Sequence, residues 1–166
     1  MSNLAVKYHI LENGEIVDLS RVKISHNRLI SRLLASIAKK ISRPCEVFAE
    51  QSYRWEEDTA AYRMPDISII CNAKSKNGVD INNVPWFICE ILSQSTKDSD
   101  RNEKMELYGR MGVAEYWLIE PDTKKAERYI NENHKMVYYD EVLLSEEKVI
   151  KFVTKDIEFD IENLFD

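Results

Sequence analysis

Met64-Pro65-Asp66-Ile67-Ser68-Ile69-Ile70-Cys71 is followed, after a polar stretch, by Trp86-Phe87-Ile88-Cys89-Glu90-Ile91-Leu92 and then by Glu115-Tyr116-Trp117-Leu118-Ile119-Glu120-Pro121. Ile67 to Cys71 and Trp86 to Leu92 are short runs of β-branched and aromatic residues bounded by turn formers, the pattern of strands buried on both faces. Both are predicted as central strands. Asp66 opens the first run and Glu90 lies inside the second, each an acid where a buried strand ordinarily places Val or Ile. Carboxylates are rarely buried unless they are paired or bind a cation. Glu90, flanked by Cys89 and Ile91, therefore needs a partner. A hard divalent cation held by a few carboxylates would supply one, and the alternatives are an arginine or solvent at a sheet edge.

The segment after Glu90 bears on that choice. Ser93 to Asp100 offers several N-caps, with Asp98 or Asp100 favoured, and Gly112 stands where a C-terminal glycine cap belongs. The spacing predicts a helix from about Asp100 to Met111, with Lys104, Leu107, Tyr108 and Met111 on one stripe. Lys104 then sits among apolar residues at the helix end nearer the preceding strand. A lone lysine there would pack its stem and extend its ammonium to water; beside two acids, a functional cation is an equal reading. Strand, helix and strand (Trp86 to Leu92, Asp100 to Met111, Glu115 to Glu120) form a βαβ unit, expected to be a right-handed parallel crossover. Ligand sites in such sheets lie beyond the carboxyl ends of the strands, which is where Glu90 falls.

Taken together, Pro65-Asp66, Glu90-Ile91-Leu92-Ser93, Asp100, Lys104, Tyr108 and Gly112-Val113-Ala114-Glu115-Tyr116-Trp117-Leu118 resemble the signature of the Uma-type (Uma-two) restriction endonucleases, a branch of the PD-(D/E)XK nuclease superfamily. The resemblance runs from the hairpin near Asn13-Gly14 to the closing segment Asp156 to Phe165. It implies an α/β, restriction-endonuclease-like core: a central mixed β-sheet flanked by helices, with an N-terminal hairpin and C-terminal antiparallel strands. It also implies a Mg²⁺- or Mn²⁺-dependent endonuclease acting on nucleic acid, DNA foremost. Asp66 and Glu90 would be metal ligands, the backbone carbonyl of Ile91 a third, and Lys104 the catalytic cation. One departure stands out: the superfamily motif would put lysine at position 92, which is Leu92 here. Lys104 would replace it from the helix.

The remaining sequence sets the frame. A chain of 166 residues, 44% hydrophobic and 31% charged, is expected to form one domain spanning 1–166. No basic-then-apolar leader and no apolar run approaching the ~18 residues of a membrane span are present, so a cytoplasmic protein without membrane contact is expected. Cys45, Cys71 and Cys89 have no metal-type spacing and read as reduced core residues. The net charge of −6 is unevenly spread: Arg21 to Cys45 contains seven basic residues and no acid, so it carries +7 and the rest −13. That segment is a candidate phosphate-facing surface through Arg28, Arg32 and Lys39, although any one of these residues taken singly reads more readily as a solvated helix face.

In chain order, Lys7 to Leu11 and Ile16 to Leu19 flank Glu12-Asn13-Gly14-Glu15, a hairpin signal. Ser25 or Asn27 can cap a helix whose apolar residues Leu29, Ile30, Leu33, Leu34, Ile37 and Ile41 keep helical period up to Pro44. His26, at its start, is within reach of a metal or phosphate, with an exposed capping-region histidine as the default. Cys45 to Tyr53 alternates as a strand, and Glu50 on it is a candidate third carboxylate or an ordinary outward-facing residue. Glu56 to Thr59 reads as a turn. The loop Asn72 to Asn83 is expected to be the most flexible stretch and to lie beside the site. Ala126 to Ile130, Met136 to Leu144 and Val149 to Val153 read as antiparallel strands, with Asn131 to His134 as a hairpin loop. Tyr129, Tyr138 and Tyr139 can stack on bases but in strands more often pack across the sheet. Tyr108, on the Lys104 stripe, is a supporting candidate.

Two functions remain open on the sequence: a metal-dependent phosphodiesterase, or a nuclease fold kept as a catalytically silent binding or assembly module. A homodimer fits base rates and would place two sites for a double-strand cut.

Overall fold

The computed structural model describes residues 24–55, 63–75 and 77–166, together with the backbone of 8–10 and 16–18. Six strands form one mixed sheet in the order β3-β4-β5-β6-β7-β8: Cys45–Ala49, Ile67–Cys71, Phe87–Ile91, Glu115–Glu120, Lys125–Glu132 and Lys135–Leu143. β5 and β6 are parallel and every other neighbouring pair is antiparallel. The parallel pair is the predicted βαβ unit. The six-stranded mixed sheet with its few helices is the α/β architecture expected from the sequence.

Period-two alternation divides the buried residues between the two faces. One face carries Ile67, Ile69, Phe87, Cys89, Ile91 and Trp117, packed with Leu29, Leu33 and Ile37 of α1 (Ile24–Ala38) and with Phe152, Phe159 and Leu164 from the end of the chain. The other face carries Ile70, Ile88, Tyr116 and Leu118, covered by Tyr53, Trp55, Leu107 and Tyr108. β1 (Tyr8–Ile10) and β2 (Ile16–Asp18) pair antiparallel as the predicted hairpin, whose turn Asn13-Gly14 lies outside the described residues. The turn Glu56 to Thr59 lies outside them too. β9 (Val149–Lys151) and β10 (Glu158–Asp160) pair with each other as a separate antiparallel ribbon.

Between β5 and β6 the chain is helical from Lys97 to Met111, in three contiguous pieces: α2 (Lys97–Ser99), a π-helical turn over Asp100–Lys104, and α3 (Met105–Met111). Gly112 closes α3 in the left-handed conformation, φ 90°, as the sequence predicts. The helix starts earlier than expected, and Asp100 lies inside it rather than capping it. α3 rests so closely on the β7–β8 hairpin that a Cβ at Gly109 would come within 2.9 Å of the Met136 backbone nitrogen. Asn131 fastens the contact, its Nδ2 donating to the carbonyls of Gly109 (2.8 Å) and Val113 (2.9 Å).

Several local expectations are corrected. α1 begins at Ile24, which puts Ser25 and Asn27 within its first turn instead of at its cap. β3 ends at Ala49 because Glu50 adopts φ 49°, which stops the ladder short of Tyr53. Cys45 and Cys71 are joined by a disulfide rather than kept reduced, since the antiparallel register of β3 and β4 sets them directly opposite; Cys89 alone is the buried free thiol. The loop 72–83 leaves β4 after Cys71 and returns toward Phe87, at the end of the strands away from Asp66 and Ile91. It is knit by Asn77, whose Oδ1 accepts the Val79 and Asp80 N–H groups at 2.9 and 2.8 Å. The β7–β8 turn is tighter than the four residues expected: Asn133 and His134 alone take the left-handed backbone, φ 52° and 65°.

Candidate active site

The antiparallel pairing of β4 and β5 ends at Ile67 opposite Cys89. Asp66 and Glu90 are the next residues along, so the two acids predicted from the sequence meet at the strand ends. Asp66 Oδ2 accepts the Ile91 N–H at 2.7 Å, and the Asp66 N–H faces Glu90 Oε2 at 3.4 Å. The backbone thus fixes one oxygen of Asp66 and turns it toward β5.

Glu90 is 2% exposed and projects to the α3 face. Its Oε1 accepts from Lys104 Nζ at 3.1 Å and from the Tyr108 hydroxyl at 2.9 Å. The ammonium is shared: Lys104 Nζ also lies 2.7 Å from Asp100 Oδ1. Asp100, 1% exposed, is the third acid of the cluster, brought there by the π-helical turn that it opens. Such turns recur at functional sites because they re-aim side chains within an otherwise regular helix. Tyr116 anchors the turn through its hydroxyl, 3.1 Å from the Asp100 carbonyl.

Two acids at one lysine, with Asp66 beyond Glu90, shape the proton equilibria. Burial pushes the Glu90 carboxyl up, Lys104 opposes that, and the charges of Asp66 and Asp100 add to it, giving about 7. Burial alone would lower Lys104, but Glu90 and Asp100 outweigh it and the ammonium is held above its ordinary range. Lys104 is therefore charged at neutral pH. Burial drives the Tyr108 hydroxyl well up, reinforced by the neighbouring Glu90, so it acts as a neutral donor.

His26 departs from the exposed capping role expected of it. Its side chain is 17% exposed and crosses from α1 to the strand ends, with Nε2 3.1 Å from the Ile91 carbonyl and 3.4 Å from Asp66 Oδ2. Burial pulls its pKa down, but the hydrogen bond and charge of Asp66 outweigh that and raise it overall.

Glu50 is exposed at the end of β3, and its backbone N–H bonds the Asp66 carbonyl at 3.2 Å. Asp100, not Glu50, is the second carboxylate at Lys104, beside Glu90. Arg28 is exposed on α1 and Lys39 in the turn just after it, whereas the Arg32 guanidinium turns to the main-chain carbonyls of Leu164 and Asp166. Tyr129 packs edge-on against Tyr138, centroids 5.7 Å apart, and Tyr139 lies under the Arg128 guanidinium. The signals for Asp100 were its position four residues before Lys104 and its place in the motif. Nothing in the sequence fixes the crossing of α1 that delivers His26.

Among the described residues, no three His, Cys, Asp or Glu side chains form a ready-made metal cluster. A smaller oxygen set is present. Asp66 Oδ2 and the Ile91 carbonyl share the His26 nitrogen as a neighbour, and Glu90 Oε2 is the oxygen that Lys104 and Tyr108 leave untaken. Carboxylate and carbonyl oxygens suit Mg²⁺ and Mn²⁺, so the residues fit such an ion. No helix among the described residues is long and apolar enough to cross a membrane.

Comparison with known proteins bears on the same region. Residues 3–158 match the model of the family Uma2, described as "Putative restriction endonuclease". Two uncharacterized proteins of Synechocystis sp. are similar in sequence: one is 28% identical over 121 residues, covering 70% of this chain and 68% of the relative. The other is 29% identical over 66 residues, covering 40% and 35%. Among solved structures, a protein of Anabaena variabilis described as "a putative nuclease belonging to DUF820" shares the fold, with a TM-score of 0.67, 18% identity, and coverage of 95% of this chain and 89% of that one.

Proposed function

We propose, from the premise that the chain belongs to the Uma2 restriction-endonuclease family, that it is a divalent-metal-dependent phosphodiesterase cleaving nucleic acid, DNA foremost. The observation that carries this reading is the meeting of Asp66 and Glu90 at adjacent strand ends, beside the Ile91 carbonyl and within reach of one charged lysine. Asp66, Glu90 and the Ile91 carbonyl would hold Mg²⁺ or Mn²⁺. When bound, the ion supplies a water of lowered pKa and positive charge for the phosphoryl oxygens.

The chain's own residues do the rest. The Ile91 N–H orients Asp66, and Tyr108 with Lys104 fixes Oε1 of Glu90 so that Oε2 turns toward Asp66. Lys104 keeps its proton between two carboxylates, which favours positioning the attacking water and balancing developing charge over abstracting a proton. Arg28 on α1 and Lys39 in the turn that follows it, both exposed, are the candidate phosphate contacts. A two-fold dimer would set two such sites against the two strands of a duplex.

The test is cleavage of supercoiled plasmid, branched DNA and single strands with Mg²⁺, Mn²⁺ or EDTA. Wild type should cut only with metal, Asp66→Asn and Glu90→Gln should not cut, and Lys104→Ala should lose about 10²-fold or more. Metal-independent cutting, or full activity in Asp66→Asn, would overturn the proposal.

A further inference from the structure

The His26 imidazole is an odd thing to find at the strand ends. It comes from α1, on the face of the sheet opposite Lys104 and Tyr108. Its Nε2 reaches two oxygens, the Ile91 carbonyl at 3.1 Å and Asp66 Oδ2 at 3.4 Å. Its other nitrogen, Nδ1, is buried without a hydrogen-bond partner. An unsatisfied buried polar atom costs about 1–3 kcal/mol, so a ring kept only for packing would be better replaced by an apolar one. Among the described residues, the polar engagement of this ring is confined to the two oxygens of the proposed metal site.

The spacing has a second meaning. An octahedral ion with ligands at about 2.0–2.1 Å sets its adjacent donor atoms about 3 Å apart. Nε2 stands at that separation from the Ile91 carbonyl and within a few tenths of an ångström of it from Asp66 Oδ2. Two side chains and one main-chain carbonyl are gathered from α1, β4 and β5.

Building on the metal-dependent reading above, we propose that His26 is a metal ligand of this site, the one nitrogen donor in an otherwise oxygen set, and that it biases the protein toward Mn²⁺-type ions over Mg²⁺. Imidazole is a poor ligand for Mg²⁺ and a good one for first-row transition ions, whereas carboxylates serve both. Asp66 and Glu90 supply affinity for either ion. His26 supplies the preference.

The experiment uses the full chain and Mn²⁺ alone, without nucleic acid. Electron spin echo measurement on the bound Mn²⁺ should show ¹⁴N modulation that changes when histidine is ¹⁵N-labelled, and the chain has only three histidines to assign. His26→Ala should weaken Mn²⁺ binding at least tenfold, change Mg²⁺ binding less than threefold and abolish the modulation. His26→Asp, which keeps a ligand but makes it a hard oxygen, should bind Mg²⁺ in preference and show no nitrogen signal; it serves where the alanine variant does not fold. An Mn²⁺ affinity that His26→Ala leaves unchanged or raises, while Asp66→Asn abolishes binding, would overturn the role of His26 and leave the metal site standing. Absence of Mn²⁺ binding in wild type would overturn both.

Discussion

Glu90 and Glu115 are buried acids on neighbouring strands of one sheet, 2% and 0% exposed, at opposite ends of the parallel β5–β6 pair. Glu115 is saturated. Its Oε1 accepts the Trp117 indole N–H at 2.7 Å and the Val153 N–H at 2.9 Å, and its Oε2 accepts the Thr154 N–H and hydroxyl, both at 2.8 Å. All four donors are neutral and fixed by the chain. Glu90 receives its two close contacts on one oxygen, from Lys104 and Tyr108, and shares its surroundings with Asp66 and Asp100. Among the described residues, its second oxygen has only the long approach of the Asp66 N–H, 3.4 Å. Burial of an acid therefore does not mark a site. Unspent acceptor capacity next to like charge does, because that arrangement gains most from an added cation.

The comparison breaks first on activity. Asp66→Asn and Glu90→Gln are expected to lower metal-dependent cleavage by about 10³-fold, equivalent to ~4 kcal/mol of transition-state stabilisation, while Glu115→Gln keeps cleavage in whatever fraction of the protein folds. Plasmid nicking normalised to folded protein checks this. The order reverses on stability. Glu115→Ala strands four donors, two of them main-chain, and is expected to cost about 3 kcal/mol or more. A lower urea midpoint at unchanged slope would show it, with Glu90→Gln changing the midpoint far less.

A third outcome concerns pH in the metal-free protein. Glu90 has a folded pKa of about 7 against an ordinary 4.5, so between those values the folded chain holds a proton that the unfolded chain has released. Stability should fall as pH rises through that window, by on the order of 3 kcal/mol. His26 acts in the same sense: its raised pKa stabilises fully below 6.5 and the gain is lost as pH rises through the folded value. Urea titrations in EDTA should show the slope, and Glu90→Gln should flatten its lower part. The smallest effect is expected from Tyr108→Phe, which removes one donor from Glu90 Oε1 and should cost about 1 kcal/mol, visible as a few-fold loss in cleavage.

What was legible in the sequence follows from how local each signal is. β4, β5 and β6 were readable because continuous β-branched and aromatic runs report burial on both faces, and Gly112 because a left-handed cap selects glycine. Asp66, Glu90 and Lys104 were found because acids in such runs, and a lysine in an apolar helical stripe, contradict their surroundings. Features that depend on distant segments were hidden. His26 reaches the strand ends only through the crossing of α1. The Cys45–Cys71 bond depends on a β3–β4 register that alternation does not set. Asp100 reads as a cap by residue type, and only the π-helical turn turns it inward to Lys104. Glu115 was visible only as a member of the motif, and its saturation was hidden, since three of its four donors, from Val153 and Thr154, come from nearly forty residues on.

Gly109 lies one residue beyond Tyr108 and a little over one turn beyond Lys104, with the backbone of the β7–β8 hairpin against it. The hairpin is thus the backstop of the helix, and the missing side chain sets how closely the two can approach. A single methyl group there would have to lift the hairpin or push the helix toward the strand ends, at a cost of about 1–3 kcal/mol. The depth at which the ammonium enters the acid cluster is therefore gauged from behind, by a surface that touches neither the ammonium nor the acids.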